Sequence, residues 1–224
     1  HLATKMQLSS RTSSSTMMRS LEASLVKLQT DYVDVYFNHA VNDVSVIKNP
    51  EWHIFMEKAK RQGKVRFSGM SGHGGYLADC VNYAADEDLF DVMLLAHNFG
   101  EDPSFYEKLT RSFDFVANQH HLPAAMVRAK EKGVGIVVMK VLRGAKLNDM
   151  RPYESNGATY AQAAFRWALN TPTVDAVIIS MTSRDDIDEY LGASGSKAVT
   201  SEDMRLLNQY AQMTDMSYCR HDCN

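Results

Sequence analysis

Short apolar runs rich in β-branched residues alternate along this chain with longer stretches whose apolar residues recur at helical spacing. The runs cover residues 2–6, 32–37, 65–70, 90–96, 135–140 and 176–180. They are continuously apolar, with no strict apolar–polar alternation, a pattern expected of parallel strands buried on both faces. In residues 15–28, Met17, Met18, Leu21, Leu25 and Leu28 recur at helical spacing, with Arg19, Glu22 and Lys27 among them. Pro50 followed by Glu51 opens a second helix, which Gly63 closes. Residues 76–87, 122–132 (ended by Gly133), 159–170 and 184–191 read the same way, and 201–213 forms a last helix with no strand after it.

Repeated strand–helix units with parallel strands leave a closed barrel or an open doubly wound sheet. The positions of polar residues separate the two. The strands end in Lys5, His39, Ser71 with His73, His97 with Asn98, Lys140 with Arg143, and Ser180 with Thr182. A barrel collects its chemistry at the carboxyl ends of many strands, whereas an open sheet concentrates it at one crevice. No Gly-x-Gly-x-x-Gly motif opens the first helix. The expectation is a (β/α)8 TIM barrel of which six strands are present. The first two are expected upstream, because an unclosed six-strand piece leaves two apolar edges exposed.

Composition narrows the function classes. With 45% hydrophobic and 23% charged residues over 224 positions, the chain can bury one core. A net charge of -3 without a long single-sign run argues against a nucleic-acid surface. No apolar stretch approaches the roughly 18 residues of a membrane span. The chain opens without an initiator methionine or signal peptide; two close cysteines near its end suit a cytosolic cluster, so a cytoplasmic location is expected, with room for an export signal in a preceding segment. Cys80 lies in a helical pattern as a small buried hydrophobe. Cys219 and Cys223 stand four apart at the end, as at the start of a metal site. His73, His97, His120 and His121 match no compact zinc spacing. Trp52 and Trp167 read as packing residues, and residues 101–121 as a long irregular connection over a site.

The run from Ser20 to His39, SLEASLVKLQTDYVDVYFNH, resembles the signature of the aldo-keto reductase family. There, a helix ending in Ser-Leu-x-x-Leu-x-x-Asp-Tyr leads into a strand that closes on histidine. Ala3-Thr4-Lys5 is similar to the family's strand carrying its active-site lysine, and residues 65–71 to the fifth strand with its serine. The similarity runs from Ala3 to about Met213, so residues 1–213 are expected to form the partial barrel. Tyr218–Cys223 resembles the start of a ferredoxin-like segment, which assigns residues 214–224 to a truncated iron–sulfur extension and Cys219 and Cys223 to a [4Fe–4S] cluster. The phrase Met139–Ala145 is also like that branch.

The resemblance implies an NADP(H)-dependent oxidoreductase that transfers hydride to a small carbonyl or from an alcohol, in the intact protein coupled to the cluster. Lys5 and His39 match two members of the family's aspartate–tyrosine–lysine–histidine tetrad. The other two belong to the second strand and its loop, so this chain alone is expected to be inactive. Lysine beside the tyrosine lowers the phenol's pKa, and histidine orients the carbonyl. Ser71 and Asn98 are implied at the nicotinamide, Lys140 and Arg143 at the pyrophosphate, and Ser180, Thr182 and Arg184 at the adenosine 2′-phosphate, beside a helix start. Leu94 stands where the family has glutamine, and Met139 where it has a ring-stacking aromatic. An alternative is a member of the fold that binds the dinucleotide as a sensor or subunit; a further one is an unrelated barrel enzyme.

Overall fold

The computed structural model describes residues 1–99, 121–142, 149–155, 157–195 and 198–214. Arg143, Cys219 and Cys223 lie outside them, as do residues 101–120 of the connection expected at 101–121 and the segment 215–224. The six strands are β1 (Ala3–Gln7), β2 (Val33–His39), β3 (Val65–Gly72), β4 (Val92–Ala96), β5 (Gly135–Met139) and β6 (Ala176–Val177). They follow in chain order in one sheet, and each pair with a defined register is parallel. Helices α1 (Ser14–Leu28), α3 (Glu51–Arg61), α4 (Leu77–Asp86), α5 (Leu122–Glu131), α6 (Tyr160–Leu169), α7 (Arg184–Leu191) and α8 (Ser201–Thr214) occupy the expected places. Two short elements escaped the sequence reading. One is a single-turn helix α2 (Val44–Ile47), capped by the Asp43 carboxylate on the Ser45 amide; the other is a 3-10 turn at Arg151–Tyr153.

Contacts divide the chain into two compact units, residues 1–95 with 121–136 and residues 96–120 with 137–224. In the first unit, α1 buries Met17, Met18, Leu21 and Leu25, and α4 and α5 pack together through Leu77, Cys80, Val81, Leu122, Ala125 and Met126. One face of its sheet lies under an aromatic cluster. Tyr36 of β2 meets Trp52 and Phe55 of α3 at ring-centroid distances of 6.4 and 5.4 Å, and Trp52 meets Phe90 at 5.8 Å. The amino ends of the strands are tied by two carboxylates. Asp34 accepts from the Leu2 amide and from Arg66, and Asp91 accepts from the Ser68 amide and hydroxyl and from Lys60. In the second unit, Tyr160 of α6 stacks on Tyr210 of α8 at 4.5 Å, and Phe99 meets both edge-on.

Three boundary expectations need correction. β4 begins at Val92 instead of Phe90, because Asp91 bends the chain to hold Ser68. β5 ends at Met139, since Lys140 adopts a left-handed backbone with φ 60°. The pairing of β6 stops at Val177 instead of Ser180; the Ile178 amide still donates to the Val138 carbonyl at 2.9 Å, and Ile178 is exposed. Burial on both faces holds for β2, but β1 alternates between exposed and half-buried residues, as the first strand of the sheet order.

Candidate active site

The register of the first three strands decides which side chains share a face. Residues paired at Cα in neighbouring strands project to the same side, and successive residues alternate. Lys5 pairs with Phe37 and Gln7 with His39; Phe37 pairs in turn with Gly69. Lys5, Gln7, Phe37, His39, Gly69 and Ser71 therefore lie on one face. The Tyr36 ring, on the other, is the one packed against α3. The lysine and the histidine thus lie on the side of the sheet turned away from these helices. Gly69 is required there: a Cβ would lie 2.5 Å from the Phe37 ring.

The cluster is graded in exposure. Lys5 and Gln7 are exposed, His39 at the end of β2 is half-buried, and Ser71 is only 1% exposed. The Ser71 hydroxyl has no hydrogen-bond partner among the described residues. Burial, the positive charge of Lys5 and the neighbouring His73 all push the His39 imidazole below its ordinary pKa, in that order of size. His39 is therefore neutral at pH 7 and offers one ring N–H as a donor.

The shift has a consequence for folding. The folded chain holds His39 less basic than the unfolded chain, whose imidazole titrates near ~6.5. Below that pH the unfolded state binds more protons, so stability rises with pH through the window and levels off above it. Urea unfolding midpoints between about pH 5 and about pH 8 should show a steeper rise for the wild-type chain than for His39→Gln. Parallel profiles for the two proteins would remove the shift from His39.

The second unit holds the remaining residues expected at a cofactor. Asn98 is buried after β4, Lys140 is half-buried, and Ser180, Thr182 and Arg184 are exposed around the start of α7. At that start, one carboxylate oxygen of Asp186 takes the Thr182 amide, the Thr182 hydroxyl and the Ser183 amide at 2.9, 2.9 and 3.0 Å. The Ser183 hydroxyl caps the Asp186 amide in return. These bonds, the Thr182 amide foremost, hold the Asp186 carboxyl below the usual carboxylate range against the penalty of burial. The amides expected to meet a phosphate are thus already donated to an anion of the chain itself. The spacing Ser-x-x-Asp at 183–186 carried that signal in the sequence.

Among the described residues, no group of three His, Cys, Asp or Glu could hold a metal ion. No described helix is long and apolar enough to cross a membrane. The sequence reading missed Gln7 as a face-mate of His39, and the carboxylates Asp34 and Asp91 as ties between strands. Gln7 lay outside the strand as drawn from hydrophobicity, which ended at Met6.

A parallel sheet with helices after its strands is the architecture of a (β/α) barrel, here incomplete. The model of the Aldo/keto reductase family matches residues 1–151, and the chain belongs to that family. L-galactose dehydrogenase of Arabidopsis thaliana is 24% identical over 199 residues, which cover 78% of this chain and 56% of the relative. The chain thus spans little more than half the length of that curated relative. Among solved structures, a thermostable aldo-keto reductase in complex with the inhibitor epalrestat matches with a TM-score of 0.64 and 22% identity. That match covers 92% of this chain and 70% of the other. The holo form of an aldo-keto reductase from Bacillus halodurans matches with a TM-score of 0.63 and 17% identity, over 93% of this chain and 70% of the other. These likenesses establish the fold, which is that of an incomplete (β/α)8 barrel.

Proposed function

We propose that this chain carries part of the carbonyl site of a nicotinamide-dinucleotide-dependent oxidoreductase, acting on a small carbonyl or alcohol, with the rest supplied by a preceding segment. The observation that carries this reading is the placement of Lys5 and His39 on one face at neighbouring strands, close enough for the lysine's charge to depress the imidazole's pKa. The dinucleotide, when bound, supplies or accepts the hydride. As a carbonyl is reduced its oxygen gains negative charge, and donors aimed at that oxygen lower the barrier. Neutral His39 donates one such hydrogen bond and so fixes the carbonyl's direction. The Lys5 ammonium favours the ionised form of a phenol brought beside it by a preceding segment, which makes that phenol a stronger acid.

The buried, unpartnered Ser71 hydroxyl fits a planar amide such as the nicotinamide carboxamide, which would end its isolation. The family resemblance gives the rest of an NADP(H) molecule to Asn98, Lys140, Arg143, Ser180, Thr182 and Arg184. At Thr182 and Ser183 a 2′-phosphate competes with Asp186 for the same donors. The resemblance of Tyr218–Cys223 to the start of a ferredoxin-like segment assigns Cys219 and Cys223 to a [4Fe–4S] cluster of the intact protein, whose other thiolates a following segment would supply. Cys80 is buried, its thiol pushed up to about 12 by burial and the nearby Asp79 and Asp43, and is not one of them.

Titration with NADPH and NADH, followed by the fluorescence of Trp52 and Trp167, tests the proposal. Saturable responses at micromolar dinucleotide are expected. In Asp186→Ala the preference for NADPH over NADH should grow several-fold, because a phosphate no longer displaces a carboxylate. Absence of any response to either dinucleotide overturns the reading.

A further inference from the structure

The chain leaves β2 out of register with its neighbour. Val33 stands opposite Val65, and its amide donates to the Lys64 carbonyl, one residue before that partner. The same register, carried on from Asn38 opposite Met70, would send the Val41 amide to the Gly72 carbonyl. It donates instead to the Ser71 carbonyl, at 2.8 Å. One extra residue is therefore taken up between His39 and Val41, as in a bulge, a feature that re-aims side chains beside active sites. That residue is Ala40, whose φ is 56°.

A left-handed residue other than glycine brings its Cβ against the following carbonyl oxygen and is disfavoured. Among the described residues Gln29, Ala40, Asp88 and Lys140 are in this state. Gln29 and Asp88 follow α1 and α4, where such a residue is an ordinary helix stop. The next amide returns to the helix in each case, Thr30 to the Leu25 carbonyl and Leu89 to the Ala84 carbonyl. Lys140 ends β5. Ala40 stops no helix and follows His39 directly. The opposite strand is shaped to receive the displaced backbone. A Cβ on Gly72 would lie 2.5 Å from the Val41 carbonyl oxygen and 2.6 Å from a methyl of Leu77. The Val41 side chain is buried, which keeps the turn from relaxing outward. Strain of this kind persists only where the surroundings over-determine it.

The displaced bond ends on Ser71, the residue whose buried hydroxyl has no partner among the described residues. Resting on the reductase reading above, we infer that Ala40 is a positioning residue: its left-handed turn ties the segment after His39 to the backbone of Ser71, and so fixes the carbonyl-orienting imidazole against the nicotinamide-binding hydroxyl.

Two substitutions separate the turn from the side chain. Glycine adopts the left-handed state freely, whereas a β-branched residue is a genuine outlier there. Ala40→Gly should therefore keep the turn and Ala40→Val should lose it. Hydrogen exchange of the Val41 amide in the full chain should quicken about tenfold in Ala40→Val and stay slow in Ala40→Gly. Saturating NADH should move the His39 imidazole signals, followed by NMR, in the wild-type chain and in Ala40→Gly. That response should be lost in Ala40→Val, while tryptophan fluorescence still reports bound NADH; a turn that serves packing alone would leave it intact.

Slow Val41 exchange in Ala40→Val, or a His39 response that survives once the bond is broken, overturns the inference. So does a wild-type chain that binds NADH with its His39 signals unmoved, or an Ala40→Gly chain that loses the response; the reductase reading stands in both. A wild-type chain that binds no NADH overturns both. If melting curves show Ala40→Val to be unfolded, Gly72→Ala takes its place, because its Cβ presses on the Val41 carbonyl from the opposite strand and should abolish the same response.

Discussion

Asp203→Ala is expected to lower the free energy of unfolding by about 3–5 kcal/mol, the loss typical when one partner of a buried ion pair is removed. Asp203 lies in the first turn of α8 with its side chain fully buried, and it pairs with Arg166 of α6, whose side chain is 11% exposed. Its carboxylate also accepts the Thr200 amide and hydroxyl at 2.8 and 2.9 Å, which closes a capping box with the Asp203 amide. Arg166 reaches Gln162 with its other nitrogen. Alanine therefore strands a guanidinium in a dry site, uncaps α8 and severs the α6–α8 link together. Asp203→Asn keeps the cap and loses only the charge, so it should fall between the two. The Arg205–Glu202 pair one turn away offers the control: both side chains reach solvent, which screens their attraction, and Arg205→Ala should change little. Urea titrations of the four proteins check the order. A loss under about 1 kcal/mol for Asp203→Ala would show that the pair is no better than a surface one.

The fold was legible because the strands and helices have different periods. Parallel strands covered by helices read as apolar runs, and all six runs contain strands. What the periods could not give was where each strand stops. That depends on a single backbone angle at Lys140, on the bend at Asp91, and on whether a neighbouring strand continues. Each is a tertiary condition that leaves no trace in hydrophobicity. Arg166 and Asp203 illustrate the same limit: on their helices they read as solvent-facing charges, and only packing of α6 on α8 buries them as a pair.

The placement of Lys5 and His39 on neighbouring strands was legible, Lys5 through Ala3-Thr4-Lys5 and His39 through the run that ends in Asn38-His39. Alternation along the strands, once paired, places them on one face. The nucleotide end was less so. Ser180, Thr182 and Arg184 read as phosphate-binding types beside a helix start, yet the Ser-x-x-Asp spacing makes Asp186 the natural occupant of the Thr182 and Ser183 amides. Both readings follow from unsatisfied N–H groups at a helix N-terminus, and only geometry shows which anion is there. His73 was visible as a polar residue at a strand end, but the glycines on either side of it, Gly72 and Gly74, report a close approach to Val41 and Asn42 only once the opposing segment is known.

Lys5→Met should have the larger effect on chemistry. In a protein whose preceding segment supplies the phenol, kcat/KM for carbonyl reduction is expected to fall by about 10²- to 10⁴-fold, the usual range for a disabled general acid. The argument is electrostatic. Methionine keeps the length of the side chain but removes the charge that favours the phenolate, so the phenol's pKa climbs back towards ~10 and proton delivery loses driving force. The same substitution removes the charge that, after burial, does most to depress His39, so the imidazole should titrate at higher pH in the variant. The two readouts separate a chemical role from a structural one. A drop in rate together with an upward move of the His39 titration fits a lysine acting through its charge. A drop in rate with His39 unmoved points to lost packing instead, and a variant that keeps more than about a tenth of the rate rejects Lys5 as the group that tunes the acid.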